Sequence, residues 1–281
     1  MMISGGLSGI FPGRMKNETD SLERVRAEVL VCPKCRLVLT RGKAVPGEGP
    51  PDARLMFVGE APGSREDELG RPFVGIGGRF LNEVLTKFGI ERKHVFITSV
   101  NKCRPPANRQ PRPDEIESCI PYLWRQIAIL NPALIILLGD VALKNVLELE
   151  QSLTELRGSI IFWEGREIIP TYHPNAALRF LGARSLMEQD LALVVGELKR
   201  MGLWEKVRIR PRVTGHGRRA IPHARNREAE SDARPLPSFC RDGTRPPVGL
   251  YGQGARPKSI GHQNQSLRTT TSVVPTEILN P

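Results

Sequence analysis

Residues 134–139 read LIILLG, a run without one polar side chain that stops at a glycine. A strand with one solvated face alternates apolar and polar residues. A run that is apolar at every position belongs to a strand covered on both faces, as in parallel sheets with helices above and below. Residues 54–58 (RLMFV) and 95–100 (VFITSV) are mostly apolar strand candidates, and residues 159–163 and 168–169 supply shorter ones. Between these runs the period becomes helical. Leu22, Val25 and Val29 form one stripe behind a capping Asp20 or Ser21. Phe80, Leu81, Val84, Leu85 and Phe88 share a face over residues 77–88, and Gly89 ends that helix. Further helices are expected over residues 114–130, 141–149 and 185–201, with Pro121 predicting a kink or two abutting helices in the first of them. Strands alternating with helices predict an α/β fold with a mostly parallel sheet covered on both faces.

Parallel strands end together, and ligands of open α/β sheets bind at that carboxyl edge. Three strands deliver Glu60, Asn101 and His173 there, far apart in sequence but equivalent in position. The strand at 54–58 runs into GEAPGSREDELGRPFVG, residues 59–75. Its small residues, Gly59, Ala61, Pro62 and Gly63, expose backbone N–H groups that suit anionic or carbonyl oxygens. Behind them stand Glu66, Asp67 and one aromatic residue, Phe73.

The chain has 281 residues and a formal charge of +11, a balance that favours a nucleic-acid partner. Of its 41 basic and 30 acidic residues, 14 and 6 lie from Glu205 onward, so most of the excess is in that tail and residues 1–204 carry only +3. The tail is rich in Arg, Pro and Gly without a sustained period, and is expected to be disordered, with Cys240 a stray thiol. It would add nonspecific phosphate attraction or no function at all. Residues 1–15 are rich in glycine, and Met15 opens a more typical beginning, so these residues are expected to be disordered or a misassigned start. The organisation expected is therefore a folded domain over residues 16–204 and a basic tail over 205–281. No run approaches the roughly 20 apolar residues of a membrane span, and no signal peptide is recognisable. A cytoplasmic location follows as the expectation.

Five unevenly spaced cysteines do not make a secreted disulfide framework. Cys32 and Cys35 form a CPKC motif; after 67 residues comes Cys103, and after 15 more Cys119. Two thiolates on one turn and two from elsewhere complete a tetrahedral zinc site or hold an iron–sulfur cluster, and spacing does not choose between them.

Together, CPKC, GEAPGSREDELGRPFVG, NKCRPP with the later Cys119, and HPN resemble family-4 uracil-DNA glycosylases, over roughly residues 32–201. The resemblance implies a three-layer sandwich, a central four-stranded parallel sheet flanked by helices. It implies a [4Fe–4S] cluster on Cys32, Cys35, Cys103 and Cys119, structural in role, tying loops that border the DNA. Phe73 matches the aromatic that stacks on a flipped uracil, Asn101 the residue that reads the base edge, and His173 the donor to the uracil O2. Glu60 and Ala61 match the turn whose backbone lines the pocket, and Glu66 an acidic position near the sugar. The implied activity is hydrolysis of the N-glycosidic bond of uracil in single- or double-stranded DNA, the first step of base excision repair, by a monomer. Asn175 departs from the family, which commonly has Ser after His-Pro, and an altered context or strand preference is the expected consequence.

These residue types suit that chemistry. An extruded base costs a few kcal/mol, part of which stacking on Phe73 returns. Breaking the bond leaves negative charge on the uracil, and a neutral imidazole at O2 stabilises it without transferring a proton. Ala61 stands where better-known uracil glycosylases carry a water-positioning carboxylate. The expectation is thus a dissociative path, with Glu66 or a backbone group placing the water. Two other readings are a covalent uracil-DNA binder and a non-catalytic metal-cluster accessory protein. Residues 70–80, GRPFVGIGGRF, contain no His and no insertion of the kind the covalent reading requires.

Overall fold

The computed structural model describes residues 2–3 and 20–210, all within the first of two compact units, Met1–His216. The readings made of residues 4–15 and 211–281 lie outside the described residues. The elements in chain order are β1 (Met2–Ile3), α1 (Leu22–Leu30), β2 (Leu55–Gly59), α2 (Ser64–Leu69), α3 (Ile76–Lys87), β3 (Phe96–Ser99) and α4 (Pro113–Leu130). They continue with β4 (Leu134–Leu138), α5 (Asp140–Leu147), α6 (Leu153–Leu156), β5 (Ile160–Trp163), β6 (Arg166–Thr171), α7 (Pro174–Arg179), α8 (Leu181–Arg200) and α9 (Trp204–Val207).

The sheet order is β1-β5-β6-β4-β2-β3. Strands β6, β4, β2 and β3 run parallel and form the expected four-stranded centre. The sheet is wider than that: β5 pairs antiparallel with β6, and Met2–Ile3 pairs parallel with Ile160 and Ile161. Strands β2 and β4 are buried at every position. Their side chains alternate between two cores, as the pleat requires. Leu55, Phe57, Leu134, Ile136 and Leu138 pack with Phe80, Leu81, Val84 and Leu85 of α3 and Met187, Leu191, Val194 and Leu198 of α8. Met56, Val58, Ile135 and Leu137 pack on the other face with Leu123, Ile127 and Leu130 of α4 and Ala142, Leu143 and Val146 of α5. A third, smaller core joins Val25 and Val29 of α1, Leu37, Cys103, Cys119 and Tyr122.

Helix boundaries follow local chemistry. Ser21 caps α1 by accepting from the Arg24 N–H at 3.1 Å. Gly89, at φ +73°, lies just past the end of α3. Pro121 does not divide α4, which runs continuously from Pro113 to Leu130. The ring deprives only the Glu117 carbonyl of its donor, and both residues face solvent, where water can satisfy that oxygen. Ordered structure also continues past Trp204: Val207 is buried, and Ile209 N–H donates to the Gly89 carbonyl at 2.8 Å. No helix among the described residues is long and apolar enough to cross a membrane.

Candidate active site

The carboxyl ends of β2, β3, β4 and β6 lie along one edge, and the loops that leave them build the site. Phe73 is its most constrained residue. Its backbone sits at φ +49°, a left-handed conformation uncommon for a bulky side chain, so its surroundings must hold it there. Arg92 donates to the carbonyls of Pro72 and Phe73 at 2.6 and 3.2 Å. From the other side the Glu66 carboxylate accepts from the N–H groups of Val74 and Gly75 at 2.9 and 2.7 Å, and from Gly63 at 3.2 Å. Two glycines leave room for the loop. A Cβ on Gly78 would lie 2.0 Å from the Phe73 carbonyl, and one on Gly59 would lie 2.5 Å from the ring's Cζ. Phe73 is largely buried, with its ring laid over the end of β2.

His173 follows β6 and caps α7. Its ring centroid is 5.8 Å from that of Phe73, with 34° between the planes. Gly139, at φ +94°, lets β4 end against it, since a Cβ there would stand 3.1 Å from the His173 Cβ. The Asn175 N–H donates to His173 Nδ1 at 3.2 Å. Burial pushes the imidazole down to about 4, against the opposing pull of the Glu66 charge, so the ring is neutral near pH 7. A neutral imidazole that accepts at Nδ1 carries its proton on Nε2. The Asn175 side chain lies against Gly77, where an added Cβ would be 2.2 Å from its amide oxygen.

Glu60, one residue past β2, shares an open cavity of about 420 Å³ with Gln110, Tyr172, His173 and Phe180. Burial pushes its carboxyl upward. Ala61 follows it, half-buried. Phe73, His173, Glu66 and Glu60 thus gather at the sheet edge. Asn101 meets them through its backbone, whose N–H donates to the Glu60 carbonyl at 3.0 Å, but its side chain turns away. It is fully buried, its Nδ2 donates to the Glu115 carbonyl at 3.0 Å, and its side chain lines a second cavity, that of the cysteines. β3 ends at Ser99; the backbone at 100 and 101 still bonds to Gly59 and Glu60, while the Asn101 side chain reaches to α4. Sequence reasoning passed over Ser99, Arg92 and Gly78. Only the double glycine of residues 77–78 signalled any of them.

Cys32, Cys35, Cys103 and Cys119, all free thiols, line that second cavity together with Lys34, Arg41 and Tyr122. Arg41 donates to the Cys103 sulfur and the Lys102 N–H to the Cys119 sulfur, both at 3.1 Å. Burial pushes the thiols of Cys35 and Cys103 up, and that of Cys119 up to about 12. Among the described residues, no three His, Cys, Asp or Glu are grouped closely enough to hold one metal ion as they stand.

Residues 46–195 match the family model of the uracil DNA glycosylase superfamily. The chain belongs to the uracil DNA glycosylase superfamily. It is 48% identical over 180 residues to a Type-4 uracil-DNA glycosylase of Sulfurisphaera tokodaii, covering 61% of this chain and 82% of that one. It is 44% identical over 185 residues to a Type-4 uracil-DNA glycosylase of Pyrobaculum aerophilum, covering 62% and 93%. To a Type-5 uracil-DNA glycosylase of the same organism it is 30% identical over 151 residues, covering 48% and 66%. The matched region of the superfamily spans the sheet from β2 to β6 and carries every site residue described above except Cys32, Lys34, Cys35 and Arg41.

Proposed function

We propose that the chain is a uracil-DNA glycosylase: it hydrolyses the N-glycosidic bond of uracil in DNA, releasing the free base and leaving an abasic site for base excision repair. One observation carries the reading. The hydrogen bond from Asn175 fixes the His173 proton on Nε2, beside the Phe73 ring. A flat base laid against Phe73 would then meet a neutral donor at its edge.

The chemistry follows from these groups. Extrusion of the nucleotide costs a few kcal/mol, and stacking on an aromatic face returns about 1–3 kcal/mol. As the bond between C1′ and N1 breaks, its electron pair leaves with the uracil, and much of the charge resides on O2. The His173 Nε2–H donates to that oxygen without giving up its proton. Glu66 keeps a negative charge near the electron-poor sugar. Three of its roughly four acceptor positions are taken by backbone N–H groups, which leaves one for a water. That water adds its oxygen to C1′ and loses a proton to solvent, and solvent protonates the uracil anion. Glu60 and Ala61 line the pocket mainly through their backbone, the former also presenting a carboxyl whose pKa burial pushes up.

The four thiols suit a [4Fe–4S] cluster. They line one cavity, receive N–H donors at two sulfurs, and supply the four thiolates that such a cluster takes. When bound, the cluster would tie α1, the segment after β3 and α4 together. We further propose that the protein acts as a monomer in the cytoplasm, on single- or double-stranded DNA. The test is incubation with uracil-containing and matched thymine-containing oligonucleotides, followed by alkaline cleavage. Strand breaks at uracil alone support the reading, and intact uracil strands reject it.

A further inference from the structure

We propose that Ser99, and not Asn101, presents the side chain that contacts the N3–H and O4 edge of the flipped base; the inference rests on the glycosylase reading. Along β3 the residues alternate between faces. Phe96 packs with the core of α4 and α5, and Ile97 with that of α3 and α8. Thr98 turns to Gln126 of α4 at 3.3 Å. Ser99 therefore falls on the face of Ile97, where Phe73 also packs. The register agrees, because Ser99 pairs with Gly59, the residue beneath the Phe73 ring. A Cβ built on Gly59 would lie 2.5 Å from Phe73 Cζ and 3.5 Å from Ser99 Oγ, so hydroxyl and ring flank the same point.

Ser99 is also held in place. Its carbonyl accepts from the buried Lys102 Nζ at 2.7 Å, and that nitrogen is anchored in turn by Thr98 and Gln126 at 2.7 and 2.8 Å. Asn101 is committed elsewhere. Its Nδ2 bonds the Glu115 carbonyl, and its buried oxygen, which has no partner among the described residues, belongs to a side chain on the wall of the cysteine cavity. A serine hydroxyl is a donor and an acceptor, and rotates to suit. It can accept from the uracil N3–H or donate to O4, whereas a fixed amide allows one pattern.

The test pairs a changed side chain with a changed base, so that loss of fold and loss of contact separate. Single-turnover release is measured for uracil and for 3-deazauracil, which lacks the N3–H, in the same oligonucleotide. The proteins are the full chain and its Ser99→Ala, Ser99→Cys and Asn101→Ala variants. Ser99→Ala is expected to slow uracil release ~10-fold or more, the cost of an unpaired buried polar group, and to shrink the uracil to 3-deazauracil ratio by a similar factor. Ser99→Cys keeps the shape, bonds weakly, and follows Ser99→Ala; it carries the test should the alanine variant not fold. Asn101→Ala is expected to lower both rates together and leave the ratio as it was. An unchanged ratio in both Ser99 variants, or a ratio that falls in Asn101→Ala instead, overturns the inference and leaves the glycosylase reading standing. A wild-type chain that releases no uracil overturns both.

Discussion

The Asn175 N–H lies 3.2 Å from His173 Nδ1, and this one backbone bond fixes which ring nitrogen carries the proton. The donor is main chain, so Asn175→Ala should keep the tautomer, whereas Asn175→Pro, which has no N–H, should lose it. His173→Ala removes the donor to the leaving base, and a ~100- to 1000-fold fall in single-turnover rate is expected, with DNA binding retained. A loss of only a few-fold would remove His173 from the mechanism.

The pH profile follows from the same ring. Burial holds the folded-state imidazole at about 4, below its ordinary 6.5, so folding favours the neutral form. What that neutral ring contributes is present above its ordinary value and is lost as pH falls through about 4. Uracil release should be level across the neutral range and decline only in acid. A decline centred near pH 6.5 would mean that His173 is solvated and ordinary.

Phe73 carries two loads, and substitutions should separate them. Leucine retains most of the packing but offers no π face, so Phe73→Leu should fold with a melting temperature near that of the wild type. Its release rate should drop by about one to two orders of magnitude, the worth of one stacked base. Gly78→Ala acts the other way. Its Cβ would meet the Phe73 carbonyl at 2.0 Å, so the helix or the loop must move, at a cost of ~3 kcal/mol. A calorimetric melt of both variants checks the contrast.

The sheet was legible because burial on both faces leaves a plain mark, a run such as LIILL with nothing polar in it. β5 was found as a strand, but its antiparallel pairing with β6 was not, since a short run does not reveal direction. At the site, Glu60 and His173 lie at the sheet edge because each is one or two residues beyond its strand. Asn101 has the same offset but follows a strand that ends at Ser99, and from there side-chain direction no longer obeys the period of two. The support of Phe73 was invisible for another reason. Arg92 reaches Pro72 and Phe73 from about twenty residues away, and no local pattern encodes such a contact.

The cysteine cavity gives a prediction with its own readout. Cys119 is buried, and burial pushes its thiol up to about 12, so the thiol without a metal keeps its proton near pH 7. Anaerobically purified protein should be brown and contain iron, and Cys119→Ala should lose visible absorbance and iron together. Because the cysteines join α1 to α4 and to the segment after β3, the same variant should melt at a lower temperature. Zinc in place of iron would leave the structural role intact and reject the cluster.

Glu66 is the residue where support and chemistry are hardest to separate, and its two substitutions differ in a way that does so. In Glu66→Ala the N–H groups of Gly63, Val74 and Gly75 lose their acceptor, at about 1–3 kcal/mol for each that water does not reach. The Phe73 loop should loosen, and rate and melting temperature should fall together. In Glu66→Gln the amide oxygen can keep Val74 and Gly75, while the amide nitrogen, a donor, faces the Gly63 N–H. The loop should survive with a modest loss of stability, but the negative charge beside the sugar is gone. If that charge stabilises the electron-poor sugar or places the water, Glu66→Gln should release uracil ~10- to 100-fold more slowly while melting within a few degrees of the wild type. A near wild-type rate in Glu66→Gln would leave Glu66 as a support of the Phe73 loop alone, and the water would then have to be placed by backbone groups of the turn after β2.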